Sequence, residues 1–169
     1  MAIVKAIEGK KQVVAVKSKS IARNTITRPI EKKVSKSIDY SNVQAWDTTT
    51  LSLAVRNGVG FNVFKKLAEI TPFSEPDWSR ILNLSQRTLQ RYEVQKKTFD
   101  PIYSDRILQI AILFNKGIDV FGNKENFNIW LETKHTALGG IKPKSLLDTT
   151  FGISLVADEL SKIENGVLA

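Results

Sequence analysis

Ser74-Glu75-Pro76-Asp77-Trp78-Ser79-Arg80-Ile81-Leu82-Asn83-Leu84-Ser85-Gln86-Arg87-Thr88-Leu89-Gln90-Arg91 is the stretch that decides the fold. Ser74 is a good helix N-cap and Pro76 suits a first turn. Glu75 and Asp77 put two carboxylates at the positive end of the helix dipole. Trp78, Ile81 and Leu82 then point to one side. Asn83-Leu84 reads as a turn, and Ser85 caps a second helix reaching about Gln95, with Leu84, Leu89 and Tyr92 as core candidates. Two short helices joined by a tight turn describe a helix-turn-helix, whose second helix lies in the major groove of DNA.

The second helix carries the residue types that such a role needs. Gln86, Arg87, Thr88, Gln90 and Arg91 are expected to be exposed, and arginine pairs with guanine, glutamine with adenine, and small hydroxyls with phosphate. Residues 85–97 hold four basic residues against Glu93, a net of +3. The DNA-contacting set is therefore Ser85, Gln86, Arg87, Thr88, Gln90, Arg91, Lys96 and Lys97. A charged helix face alone would fit a solvated surface of any all-α bundle. Its coincidence with two capped helices and a tight turn favours DNA. One such motif buries little surface, so a dimer on a palindromic site is expected.

Outward from this motif the pattern stays helical. Asp47-Thr48 caps a helix carrying Leu51, Ala54 and Val55, which Asn57-Gly58 ends. Phe61, Phe64, Leu67 and Ala68 fall at helical spacing. Phe99-Asp100-Pro101 starts a longer helix with Ile107, Ile110, Ala111, Phe114 and Ile118 as its apolar stripe, dented at Gly117 and closed at Phe121-Gly122. A short helix with Phe127, Ile129, Trp130 and Leu131 follows. A last helix begins near Phe151, with Leu155, Val156, Leu160 and Ile163 on its inner face.

Composition bounds the function. The 169 residues suffice for one core or two small ones. No run of apolar residues reaches membrane-spanning length, and the start of the chain lacks an h-region and a cleavage site, so a cytoplasmic protein without a membrane partner is expected. With no cysteine, there is neither a disulfide nor a thiolate nucleophile or metal site. Residues 1–40 hold ten basic residues against three acidic ones, whereas residues 41–169 hold fifteen against fourteen. The charge excess thus sits in a leader, read as mostly flexible, with a possible short strand at Val13–Val16. A polyanion partner and a merely solvated leader both fit it.

No enzyme is expected. His135 is the only histidine; it lies in a Thr/Lys-rich connection and is expected to be solvated. Glu75 and Asp77 are better explained as first-turn charges than as an acid pair with Glu69. No nucleophile–base pair, metal-ligand spacing or cofactor motif is present.

A second element is specific yet carries no catalytic chemistry: Ala137-Leu138-Gly139-Gly140, Lys142-Pro143, then Leu146-Leu147-Asp148-Thr149 and Gly152. The paired glycines permit positive φ and close approach of another segment. Leu146-Leu147 supplies apolar anchors, and Asp148 or Thr149 caps the last helix. It is no phosphate loop, because it lacks the glycine spacing and the Lys-Ser/Thr ending. Residues 123–169 hold five lysines against six carboxylates, so this half is not a nucleic-acid surface. A shaped, nearly neutral module of this kind points to a protein partner.

Taken in order, these motifs resemble the Xre/MbcA/ParS-type antitoxins of bacterial type II toxin–antitoxin pairs. The matching residues run from Val55-Arg56-Asn57-Gly58 through Leu84–Arg91, Ser104–Leu108, Val120-Phe121-Gly122, Trp130-Leu131, Ala137–Gly140, Pro143, Leu146–Thr149 and Gly152 to Ile163-Glu164-Asn165-Gly166-Val167-Leu168-Ala169. Two departures stand out: Lys96-Lys97 replaces the usual glycine-containing turn, and Phe99-Asp100-Pro101 replaces the usual Ser-Pro-Glu-Glu-like start. The resemblance implies an all-α fold with a basic leader (1–45), an Xre-like helix-turn-helix domain (46–122) and a toxin-binding domain (123–169). It implies a RES-type toxin partner that consumes or transfers from NAD. It also implies a homodimer within a larger complex, repressing its own operon through operator DNA. The implied toxin contacts are Leu138, Gly139, Gly140, Pro143, Leu146, Leu147, Asp148, Glu164, Asn165, Gly166, Val167, Leu168 and Ala169. The alternative is a stand-alone regulator whose last domain only dimerises.

Overall fold

The computed structural model describes residues 46–167, so the expectations for the leader, for Val13–Val16 and for Leu168 and Ala169 lie outside it. Eight α-helices follow in order: α1 (Thr48–Asn57), α2 (Phe61–Ile70), α3 (Glu75–Leu82), α4 (Gln86–Gln95), α5 (Pro101–Phe121), α6 (Lys124–Glu132), α7 (Pro143–Leu146) and α8 (Thr150–Glu164). A 3-10 turn, Thr136–Leu138, lies between α6 and α7. Among the described residues there is no strand, only isolated bridges at Gly60–Thr98 and His135–Ile141.

The caps sit where the short polar residues promised. Asp47 accepts from the Thr50 amide, Ser85 from Thr88 and Thr149 from Gly152. Ser74 forms a full capping box: its hydroxyl accepts from the Asp77 amide while the Asp77 carboxylate accepts from the Ser74 amide. Asp77 is thus more than a first-turn charge. Asp100 makes no such bond, and Pro101 at the first position starts α5.

One apolar cluster runs through both halves, and α5 is its axis. Beneath the helix-turn-helix lies an aromatic group. Phe64 meets Trp78 edge-on at 5.0 Å, and Tyr92 stacks on Phe99 at 4.7 Å. Phe73 reaches Phe114 across to the second half, and Phe114 in turn packs on Phe127. Gly117 makes the latter approach possible, because any Cβ there would fall on the Phe127 ring. Buried Ser104 ties the first half to α5, donating to the Phe99 carbonyl and accepting from the Val59 amide.

α8 runs parallel to α5. Arg106 reaches Thr150 near the start of both, and Lys116 reaches Ser161 one stretch later on both. Ile153, Val156 and Leu160 form the buried face of α8. This shifts the expected stripe: Leu155 points outward at 45% exposure, and Ile153 takes its place. Ile129 also differs from its core expectation, standing 66% exposed on α6, while Leu84 and Ile118 are half-buried at the edge of the cluster.

Candidate functional site

The first candidate surface is the outer side of α4. Asn83 takes the left-handed conformation (φ 54) that closes α3, and the Leu84 amide donates to the Ser79 carbonyl, which fixes the tight turn. Buried Leu89 and Tyr92 then hold α4 on the aromatic group. Gln86, Arg87, Gln90 and Arg91 are left exposed, as expected. Arg87, Gln90, Arg91 and Val94 share one shallow open surface. Among the described residues, neither Arg87 nor Arg91 makes an ion pair.

Three of the expected contacts are occupied locally. The Ser85 hydroxyl accepts from the Thr88 amide at 3.1 Å and bonds the Thr88 hydroxyl at 2.8 Å. Thr88 is accordingly half-buried and not exposed. The Gln90 amide group donates to Glu75 at 3.0 Å. Lys96 ends α4 at φ 47, the conformation a glycine adopts without penalty, and Lys97 follows it exposed. The replacement of a glycine-containing turn noted in the sequence is therefore made at the cost of a left-handed lysine.

The second candidate surface is built by residues 135–150. The His135 amide donates to the Ile141 carbonyl, and the His135 carbonyl accepts from Leu138 and Gly140. This closes a small loop with Gly139 (φ 71) and Gly140 (φ 74) at its exposed tip. His135 is not solvated: its ring stacks on Trp130 at 5.0 Å, and Nε2 lies 2.9 Å from the Trp130 carbonyl. The sequence around it is polar, which hid an aromatic partner five residues away.

The apolar candidates of this module turn inward. Leu138, Pro143 and Leu147 are buried, Leu147 completely, and Leu146 is half-buried. They are core, so Leu147 is not an exposed anchor. Thr149, and not Asp148, caps α8. Asp148 instead faces the first half. Its carboxylate lies 3.6 Å from the Arg80 guanidinium, and its carbonyl accepts from Arg106 at 2.8 Å. At the far end, Glu164, Asn165 and Gly166 are exposed, and Val167 is exposed as well; Glu164 pairs with Lys116 at 3.5 Å and the Asn165 amide group donates to the Ser161 carbonyl.

Sequence reading missed the polar seam that joins the two surfaces. Arg80 on α3 donates to the carbonyls of Lys144 and Ser145, and Arg106 on α5 bridges the Ile81 and Asp148 carbonyls. Lys144 sits between Asp77 at 3.0 Å and Glu132 at 2.8 Å. Burial of the Asp77 carboxyl opposes its ionisation. Hydrogen bonds from Ser74 and Lys144 outweigh that, and the group titrates below its ordinary value. The Lys144 hydrogen bond likewise lowers Glu132 against its desolvation. Desolvation opposes the Lys144 charge, but Glu132 and Asp77 prevail and raise its pKa. No single residue in the sequence marks this seam, because its partners lie 12 to 67 positions apart on the chain.

Among the described residues, no group of side chains could hold a metal ion, and no helix is long and apolar enough to cross a membrane.

Comparison with known proteins matches two family models along the chain. Residues 50–111 match the antitoxin Xre-like helix-turn-helix domain, and residues 116–166 match the antitoxin Xre/MbcA/ParS C-terminal toxin-binding domain. The chain is 26% identical over 120 residues to an "Antitoxin Xre" of Photorhabdus laumondii, covering 70% of this chain and 81% of that one. It is also 26% identical over 124 residues to a "Prs ADP-ribosylating antitoxin" of a Sphingobium strain, covering 68% and 78%. A chain of the M. tuberculosis MbcT–MbcA toxin–antitoxin complex is among the similar solved structures, at a TM-score of 0.49 and 15% identity, covering 63% of this chain and 94% of that one.

Proposed function

The chain belongs to the Xre/MbcA/ParS antitoxin family, and from that premise we propose that it neutralises a RES-type, NAD-consuming or ADP-ribosyl-type toxin of a type II pair and represses its own operon. Toxin binding is the task of residues 123–169 and DNA binding that of residues 46–122. The protein works in the cytoplasm, as a homodimer within a larger complex.

The observation that carries this reading is the segregation of the two surfaces. Arg87 and Arg91 stand exposed on the outer side of α4, without an ion pair among the described residues, on a segment with a net charge of +3. A duplex attracts such a surface through its phosphates, and the arginines offer bidentate contacts to guanine. The Gly139-Gly140 loop and the end of α8 belong to a half with no excess of positive charge. Exposed backbone at Gly139 and Gly140, and the Glu164–Val167 end, suit a protein partner better than a polyanion.

The reading is tested by co-expressing the full chain with the product of the adjacent gene. Restored growth and co-purification of the two proteins are the expected outcome. A neighbour that is harmless alone, or one that does not co-purify, contradicts it.

A further inference from the structure

Resting on the toxin-binding reading, we propose that the outer face of α8, carrying Phe151 and Leu155, is the apolar anchor by which this chain seats in a hydrophobic depression of its cognate toxin. Phe151 is 91% exposed and Leu155 45% exposed. They are four residues apart, so they lie one above the other on the helix surface. Singly exposed apolar side chains are ordinary on a protein surface. A phenylalanine left almost wholly in water with a leucine stacked beside it is a different feature.

The pair is not able to turn inward. The parallel seating of α8 on α5 is fixed at both ends by Arg106–Thr150 and Lys116–Ser161, and Ile153, Val156 and Leu160 already fill the buried face. Rotating Phe151 into the core would expel those three. The side chain is therefore held outward by the packing of its own helix.

The choice of occupant follows from charge and continuity. The exposed neighbours of the pair are Ser154 and Asp158, with no basic residue between 145 and 161, so a nucleic acid is not attracted here. The pair begins three residues after Asp148 and continues the surface of the Gly139–Thr149 module. That module has turned its own apolar residues, Leu138, Pro143 and Leu147, into the core. It thus offers exposed backbone and polar atoms with Ile141 as its large exposed apolar side chain and no aromatic one, whereas binding energy in protein interfaces concentrates in a few buried aromatic and apolar anchors. Phe151 supplies the aromatic anchor the module lacks and Leu155 widens it, within residues 116–166 that match the toxin-binding domain.

The test uses the full chain and the purified product of the adjacent gene. Wild type, F151A, F151D, L155D and F151L are titrated calorimetrically, and each is examined by thermal melting and sedimentation. F151A is expected to weaken binding by roughly tenfold to a hundredfold, as burial of one aromatic side chain implies. F151D should lose more, F151L should recover most of the affinity, and melting temperatures should match wild type. Equal affinities across the series overturn the anchor while wild-type binding keeps the toxin reading. No binding by wild type removes both. A changed oligomeric state in F151D with unchanged toxin affinity also overturns the anchor, because it assigns this face to a second copy.

Discussion

The outer side of α4 and the surface made by the Gly139–Thr149 loop with α8 hang on the same helix, α5, yet they are built on opposite rules. On α4 the charged residues face out, Leu89 and Tyr92 face in with Val94 left exposed among the arginines, and among the described residues the two arginines make no ion pair. In the second half the conspicuous apolar residues of the loop face in, while Phe151 and Leu155 face out. A surface for a polyanion needs positive charge, whereas a protein interface depletes charge at its centre and concentrates binding in a few aromatic and apolar anchors. The contrast also teaches where a functional reading must look. The motif that catches the eye, Leu138-Gly139-Gly140 to Leu147, turns its leucines into the core, and less conspicuous residues of the following helix are the exposed ones.

Leu147 against Phe151 sharpens this contrast most. Leu147→Ala removes a fully buried side chain from the common core and should cost about 2–5 kcal/mol in urea unfolding. Phe151→Ala should stay within about 0.5 kcal/mol, as surface positions do. Equal losses would erase the distinction between core and contact. Next in size is Arg87→Ala with Arg91→Ala. Each contact to a base edge is worth roughly 1–3 kcal/mol, and each lost phosphate contact reduces the slope of affinity against salt by about 1. Anisotropy titrations across a salt series read both quantities. Unchanged affinity and slope would remove α4 as the DNA surface.

The seam between the regions gives a smaller effect with a definite sign. Asp77 and Glu132 titrate below 3.8 and 4.5, so their contribution is complete above those values and is lost as pH falls through the depressed ones. Lys144 is raised above 10.5, so its contribution is lost only as pH rises beyond that. Lys144→Met should lower stability near neutral pH and flatten the decline below about pH 4. Because the carboxylates are partly open to solvent, the difference should be about 1 kcal/mol or less, read from urea midpoints against pH. The smallest expected change is a gain. Lys96→Gly relieves the left-handed lysine at the end of α4 and should add up to about 1 kcal/mol, less the entropy the glycine brings to the unfolded chain.

The helices of the described residues were largely legible because their ends are written locally. Asp47, Ser74, Ser85 and Thr149 are caps whose effect reaches three residues, and Phe121-Gly122 stops α5 where the left-handed glycine requires. The exposed arginines of α4 were legible for the same reason: a short amphipathic helix with two buried residues has little freedom of register. The second surface was less so. Between α6 and α8 the elements span three and four residues, too short for a helical period to tell inside from outside, and Leu147, expected as an anchor for a partner, is buried in the core. On α8 the choice between Leu155 and Ile153 depends on how α5 lies against it, which no local pattern contains. Arg80, Arg106 and Lys144 find partners across the chain, and the stacking of His135 on Trp130 is also a tertiary fact. The same packing bears on experiments: removing the chain from Gly152 onward would strip Ile153, Val156 and Leu160 from the core, so point substitutions separate the surfaces where truncation would not.

The separation of the two surfaces is tested most directly by growth rescue with the Arg87→Ala, Arg91→Ala double variant. It is expressed from an unrelated promoter together with the adjacent gene product, and operator binding is measured on the same purified chain. Full rescue with operator binding lost is the predicted result. Loss of rescue by a variant that melts like wild type would contradict two independent surfaces on one core.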